Sequence, residues 1–311
     1  MSREPVSPSG NHLVAVLQAL FVTLLWSSSW VLIKQGLGEI PPLTFAGLRY
    51  ALAAVVLWAA LLASPVRRVA VRALDGRSWR NLVLLGLVMY SVTQGAQFVA
   101  LAYLPAQSVS LTLSLTPVLV ALLGTFLLAE GLKTVQWVGV ALVLVGVLVY
   151  FLPGRQAVGV ASAGAAVGWL VAGVGALANA GSALLGRAVN RGGRLAPLLV
   201  TAVSMGVGAL VLLGAGVAVQ GLPALSARGW LIVAWLALVN TAFAFTLWNL
   251  TLRRLSATES SVINNTMLVQ IALLAYFFLG EPLGAGQLVA FGLVVVGTVV
   301  VQVRRRPAGS A

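Results

Sequence analysis

Residues 104–149, LPAQSVSLTLSLTPVLVALLGTFLLAEGLKTVQWVGVALVLVGVLV, occur twice in this chain. Moved forward by 151 positions without a gap, the stretch lies on residues 255–300, and 18 of 46 positions are identical. Shared Leu and Val come cheaply where 60% of residues are hydrophobic, but Ser110/Ser261, Phe126/Phe277, Glu130/Glu281, Gln136/Gln287 and Gly146/Gly297 do not. A repeat of this length means that one structural unit is built twice, and it constrains the fold more than any single motif.

The unit is a membrane unit. Only 8% of the 311 residues are charged and the mean hydropathy is +1.03, more apolar surface than a soluble domain can bury. A hydrocarbon core of roughly 30 Å needs about 20 apolar helical residues. Ten stretches qualify: 13–33, 43–63, 81–102, 106–129, 135–152, 162–186, 195–218, 229–251, 257–279 and 285–303, here called spans 1 to 10. Their connections are short, so no soluble domain is expected. The polar N-terminus has no evident cleavage site, and span 1 is expected to be retained. The expected fold class is an all-α integral membrane protein of ten transmembrane helices. Its halves are 1–155 and 156–311, each of five helices around a central cavity.

The formal charge of +13 would suggest nucleic acid in a soluble protein, but here the positions of the cations account for it. With the N-terminus inside, fifteen Lys and Arg fall in cytoplasmic segments, including Arg67, Arg68, Arg72, Arg77 and Arg80. Three, Lys34, Arg155 and Arg228, fall outside, and Arg49 remains within span 2. Both termini are therefore expected in the cytoplasm, with anionic inner-leaflet lipid as a neighbour. An offset of five helices is odd, so the two copies are expected to cross the membrane in opposite senses, an inverted repeat of the kind that builds secondary transporters.

The repeated signature LAEGLKTVQWVGVALVLVG and its partner LGEPLGAGQLVAFGLVVVG, with WSSSWVLIK in span 1 and Pro42 followed by Arg49 in span 2, resemble the EamA type of the drug/metabolite transporter superfamily. The resemblance covers essentially the whole chain. It implies an inner-membrane exporter of small metabolites, often amino acids, with spans 1, 3, 4, 6, 8 and 9 around a cavity and spans 2, 5, 7 and 10 outside. Leu268 stands where the first copy has Pro117, a departure on a presumed cavity helix.

Polar residues at membrane depth are costly and mark candidate sites. In span 3, Tyr90, Gln94 and Gln97 share one helical face. Span 8 offers Asn240 and Thr241, with Phe245 and Trp248 continuing the stripe; span 9 offers Asn264, Asn265 and Gln270; span 1 offers Trp26. Ser114 and its neighbours in span 4 either line the cavity or bond their own backbone carbonyls. The expected substrate-binding set is Trp26, Tyr90, Gln94, Asn240, Thr241, Ser114, Asn264 and Asn265. Glu130 and Glu281, ending spans 4 and 9, read as caps of the helices that follow or as proton sites. Arg49 snorkels, pairs with Glu39, or touches the cavity. With Pro117 these three form the expected structural and gating set. The sole histidine, His12, is expected in solvent.

What is missing also constrains function. The spans contain no His, Cys or Asp, which disfavours an enzyme, and no metal or cofactor is expected. No cluster of Arg or Lys awaits a phosphorylated substrate, and no acid lies at mid-membrane to drive a cation pump. The remaining lining of aromatic rings and amides suits a neutral or zwitterionic small molecule, most simply an amino acid, exported by alternating access. A multidrug or other metabolite exporter of the same fold, or a channel-like pore, is the alternative. Nothing in the sequence requires a partner chain.

Overall fold

A computed structural model describes residues 8–128, 134–151, 163–190, 195–251, 254–255 and 257–302. Every expected span is helical there. Span 1 is Pro8–Gly36, span 2 Pro42–Leu62, span 3 Gly76–Tyr103, span 5 Thr134–Tyr150, span 6 Ala163–Asn190, span 7 Pro197–Gln220, span 9 Ala257–Leu279 and span 10 Ala285–Gln302. Span 4 comes in two pieces, Ala106–Leu113 and Thr116–Leu128. Span 8 runs from Ala227 to Thr251 through a π-helical segment, Leu238–Phe243. Among the described residues nine spans are long and apolar enough to cross a membrane, and Thr134–Tyr150 is a shorter apolar helix.

The structure adds three features to the expected outline. A short helix, Pro65–Arg72, follows span 2. Pro65 sits at its first turn, where a missing N–H costs nothing, and at eight residues it is too short for a hydropathy window to find. The break in span 4 falls just before Pro117, which has no N–H for the Leu113 carbonyl and crowds it; the Thr116 hydroxyl takes that carbonyl instead, at 2.6 Å. Finally, spans 3 and 8 each contain a π-helical segment, Leu87–Gln94 and Leu238–Phe243, and the two begin 151 residues apart, in register with the repeat. Such wide turns are rare and cluster at functional sites. Hydroxyls reaching back five residues bond the carbonyls in each, Thr93 to Val88 at 2.9 Å and Thr241 to Leu236 at 2.8 Å.

In lipid, helices associate through close packing of small residues rather than through a hydrophobic drive. Span 2 packs along span 7 and span 5 along span 10. A Cβ on Gly297 would lie 2.7 Å from the Gly139 carbonyl oxygen, and one on Gly47 2.5 Å from the Leu213 Cα. These backbones meet because nothing stands between them. The remaining spans fill the middle: span 1 against spans 8 and 9, span 6 against spans 3 and 4. One end of the bundle gathers Lys34, Leu104, Gln107 and Glu281; the other gathers His12, Glu259, Leu74 and Leu195. They are called here the lysine end and the arginine end, after Lys34 and after Arg67 and Arg68 of the short helix.

Candidate functional site

At the lysine end the middle of the bundle is shut. Glu281, buried at the end of span 9, accepts hydrogen bonds from the backbone N–H groups of Ala106 at 2.6 Å and Gln107 at 3.0 Å, the first turn of span 4. Gln107 returns a bond from its Nε2 to the Pro282 carbonyl at 3.2 Å. Lys34, at the end of span 1, donates to the Leu101 and Leu104 carbonyls at 2.6 and 2.7 Å, where span 3 ends. An anion thus sits at a helix N-terminus and a cation at a helix C-terminus, each matched to the local dipole. Glu281 caps span 4, in the other half of the chain, and not span 10 as the sequence suggested. The carboxylate satisfies orphan donors 175 residues away because the two helix ends meet there in space.

Midway along the bundle, span 1 carries a polar belt. Gln270 of span 9 accepts from the Ser27 hydroxyl at 2.9 Å and donates to Thr23 and Thr266 at 3.1 Å each. Asn240 of span 8 donates to the Leu25 carbonyl and to the Ser28 hydroxyl. The Trp26 ring lies 5.2 Å from that of Phe245 and 5.3 Å from that of Trp248. Three buried polar atoms here have no hydrogen-bond partner: Trp26 Nε1, Asn240 Oδ1 and Asn265 Nδ2. Such orphans each cost about 1–3 kcal/mol unless something satisfies them.

Towards the arginine end the same middle opens. At 100° per residue, Asn264 lies on the face of span 9 that carries Leu268, Ile271 and Ala275, opposite the exposed face of Val262, Leu273 and Phe277. Leu268, Ile271 and Ala275 are buried, yet Asn264 is exposed. An inward-facing position that is exposed borders an internal space. Span 4 changes in the same way: residues 104–111 are buried throughout, whereas most of residues 112–123 are half-exposed. Both pieces pack on span 6, the first also on span 9 and the second also on span 10. The helix break before Pro117 is where the two diverge.

The other expected site residues fall as follows. Tyr90 is buried with its ring 5.6 Å from that of Tyr50, and Gln94 accepts from the Tyr50 hydroxyl at 2.6 Å. Thr241 is fully buried and accepts from Arg49 Nε at 3.2 Å. Ser114 donates to the Leu111 carbonyl of its own helix at 2.6 Å, the backbone alternative. Glu130 lies outside the described residues. Arg49 neither snorkels nor pairs with Glu39: it is 5% exposed, and Glu39 instead binds the N–H and hydroxyl of Ser226. His12 pairs with Glu259 at 3.1 Å rather than resting in solvent alone. Sequence reasoning missed Lys34 and Gln107 as parts of the closed end. Lys34 on one stripe with Ser27 and Trp30 was the available signal. No group of three His, Asp or Glu that could hold a metal occurs among the described residues.

Comparison with known proteins fits this arrangement. The chain is 27% identical to the uncharacterized inner membrane transporter YedA of Escherichia coli (strain K12), over 94% of this chain and 92% of that protein. It is 24% identical to the uncharacterized transporter YyaM of Bacillus subtilis (strain 168), over 92% and 93%. It is 33% identical to a probable amino-acid metabolite efflux pump of Salmonella typhimurium, over 42% and 40%. A solved crystal structure shares the fold at a TM-score of 0.66 and 24% identity, covering 93% of this chain and 96% of that one. Residues 13–152 and 166–303 each match one family, so the repeat seen in the sequence is that family's unit written twice. The chain belongs to the EamA-like transporter family and is a membrane transporter.

Proposed function

We propose that this transporter exports small neutral or zwitterionic metabolites, amino acids first among them, across the bacterial inner membrane. The observations that carry the reading are the orphaned polar atoms of Trp26, Asn240 and Asn265 and the ring cluster of Trp26, Phe245 and Trp248. A donor, an acceptor and a second donor suit a ligand with both kinds of group, and the aromatic faces suit an apolar side chain or an ammonium. The partial relative that is a probable amino-acid metabolite efflux pump supports the same class. The arginine end is cytoplasmic by the distribution of basic residues.

The mechanism is alternating access between halves 1–155 and 156–311, related as an inverted repeat. A helix-end contact between the halves supports it: the Glu281 carboxylate of the second half caps the start of span 4 in the first. No cofactor takes part, and the partners are the solute and membrane lipid. The test is counterflow in liposomes holding the purified chain, with a panel of amino acids. Saturable exchange of at least one supports the reading; passive flux without exchange points to a pore, and exchange only of unrelated drugs to a multidrug exporter.

A further inference from the structure

We infer that Arg49 forms a subsite for a monovalent carboxylate in the middle of the bundle; the inference rests on, and deepens, the amino-acid reading. Arg49 lies four residues after Phe45, hence on the same face of span 2. Phe45 is fully buried, packed edge-on against Phe98 at 5.2 Å and over Gly36, whose missing side chain leaves it room. This face therefore looks into the bundle between spans 1, 3 and 8. Arg49 is one turn deeper than the Phe45 plug, away from the closed lysine end.

A guanidinium carries five N–H donors and stays charged at any ordinary pH. Arg49 uses one of them, Nε to Thr241, and its charge rests at 5.1 Å from the Tyr50 ring. Among the described residues no carboxylate pairs with it and no acceptor meets its Nη groups. A buried cation left so bare is expensive. The free Nη edge has the geometry that binds a carboxylate in bidentate fashion. One isolated cation, without a Lys or Arg beside it, suits a monoanion better than a phosphate. An amino acid would lay its carboxylate on the free Nη edge of Arg49.

The test uses the full chain in liposomes with L-leucine, L-phenylalanine and L-threonine, each against its own carboxamide. The wild type should prefer acid over amide by about tenfold or more in half-saturation. In Arg49→Gln that preference should collapse to about twofold or less, and Arg49→Lys should keep part of it, as a cation without the planar fork. Amides as good as acids in the wild type overturn the subsite, and this reading needs no variant to fold. Arg49→Gln with wild-type thermal unfolding and an intact preference also overturns it. If no amino acid is exchanged at all, the amino-acid reading falls while the subsite is still read by thermal unfolding with propionate against propionamide. Stabilisation by the carboxylate alone, lost in Arg49→Gln, supports the subsite; equal effects of the two overturn it.

Discussion

A single carboxylate has the clearest physical role in this bundle. Glu281 meets two backbone donors at the start of span 4, and charge-assisted bonds of this kind contribute about 1.5–3 kcal/mol. Glu281→Ala leaves those donors unpaired and should lower the unfolding temperature in detergent clearly. Glu281→Gln keeps one acceptor and should lie between Ala and wild type; equal unfolding of all three would remove the cap from the account. The repeat exposed this glutamate in the sequence, paired with Glu130, but the helix it serves is defined only by tertiary contact. Arg49 was equally visible by residue type, whereas its burial depends on spans 3 and 8 closing over it. Ser114 illustrates the opposite limit, since nothing in a sequence says whether a hydroxyl bonds a ligand or its own helix.

At the scale of the helix, hydrophobic length was enough to locate all ten spans, because lipid demands that every backbone group be bonded within the helix. It could not locate the short helix Pro65–Arg72 or the π-helical segments, which change hydrogen-bond register without changing composition. Span contacts depend on where small residues meet. A Cβ on Gly208 would collide with the Gly86 backbone and the Tyr90 side chain, whereas one on Gly292 meets nothing within 4 Å. Gly208→Val should therefore abolish folded, monodisperse protein, and Gly292→Ala should be neutral or stabilise the fold through helix propensity, by up to about 1 kcal/mol. The link between spans 1 and 2 is held differently. Bonds from the Ser226 N–H and hydroxyl keep the Glu39 carboxyl below its usual range, with Arg228 adding to the effect. A depressed carboxylate stabilises above the ordinary range and ceases to do so as pH falls through it. The wild type should then lose unfolding temperature below about pH 5 more than Glu39→Gln does; parallel pH profiles would contradict the clamp.

For the whole molecule, spans 2 and 7 and spans 5 and 10 pack as two backbone-close pairs, and the polar middle lies among the others, with Arg49 and Tyr50 reaching into it from span 2. In this state the lysine end is sealed by Glu281, Gln107 and Lys34, and the exposed Asn264 borders a space towards the arginine end. Under the proposed alternating access the seal must open while the other end closes, so the contact between spans 4 and 9 would break in every cycle. The chain contains no cysteine, which makes that contact directly testable. In the Gln107→Cys/Pro282→Cys protein, a short thiol-reactive bridge should abolish amino-acid counterflow in liposomes, and a reducible bridge should restore it on reduction. Quantitative bridging with counterflow unchanged would contradict the account.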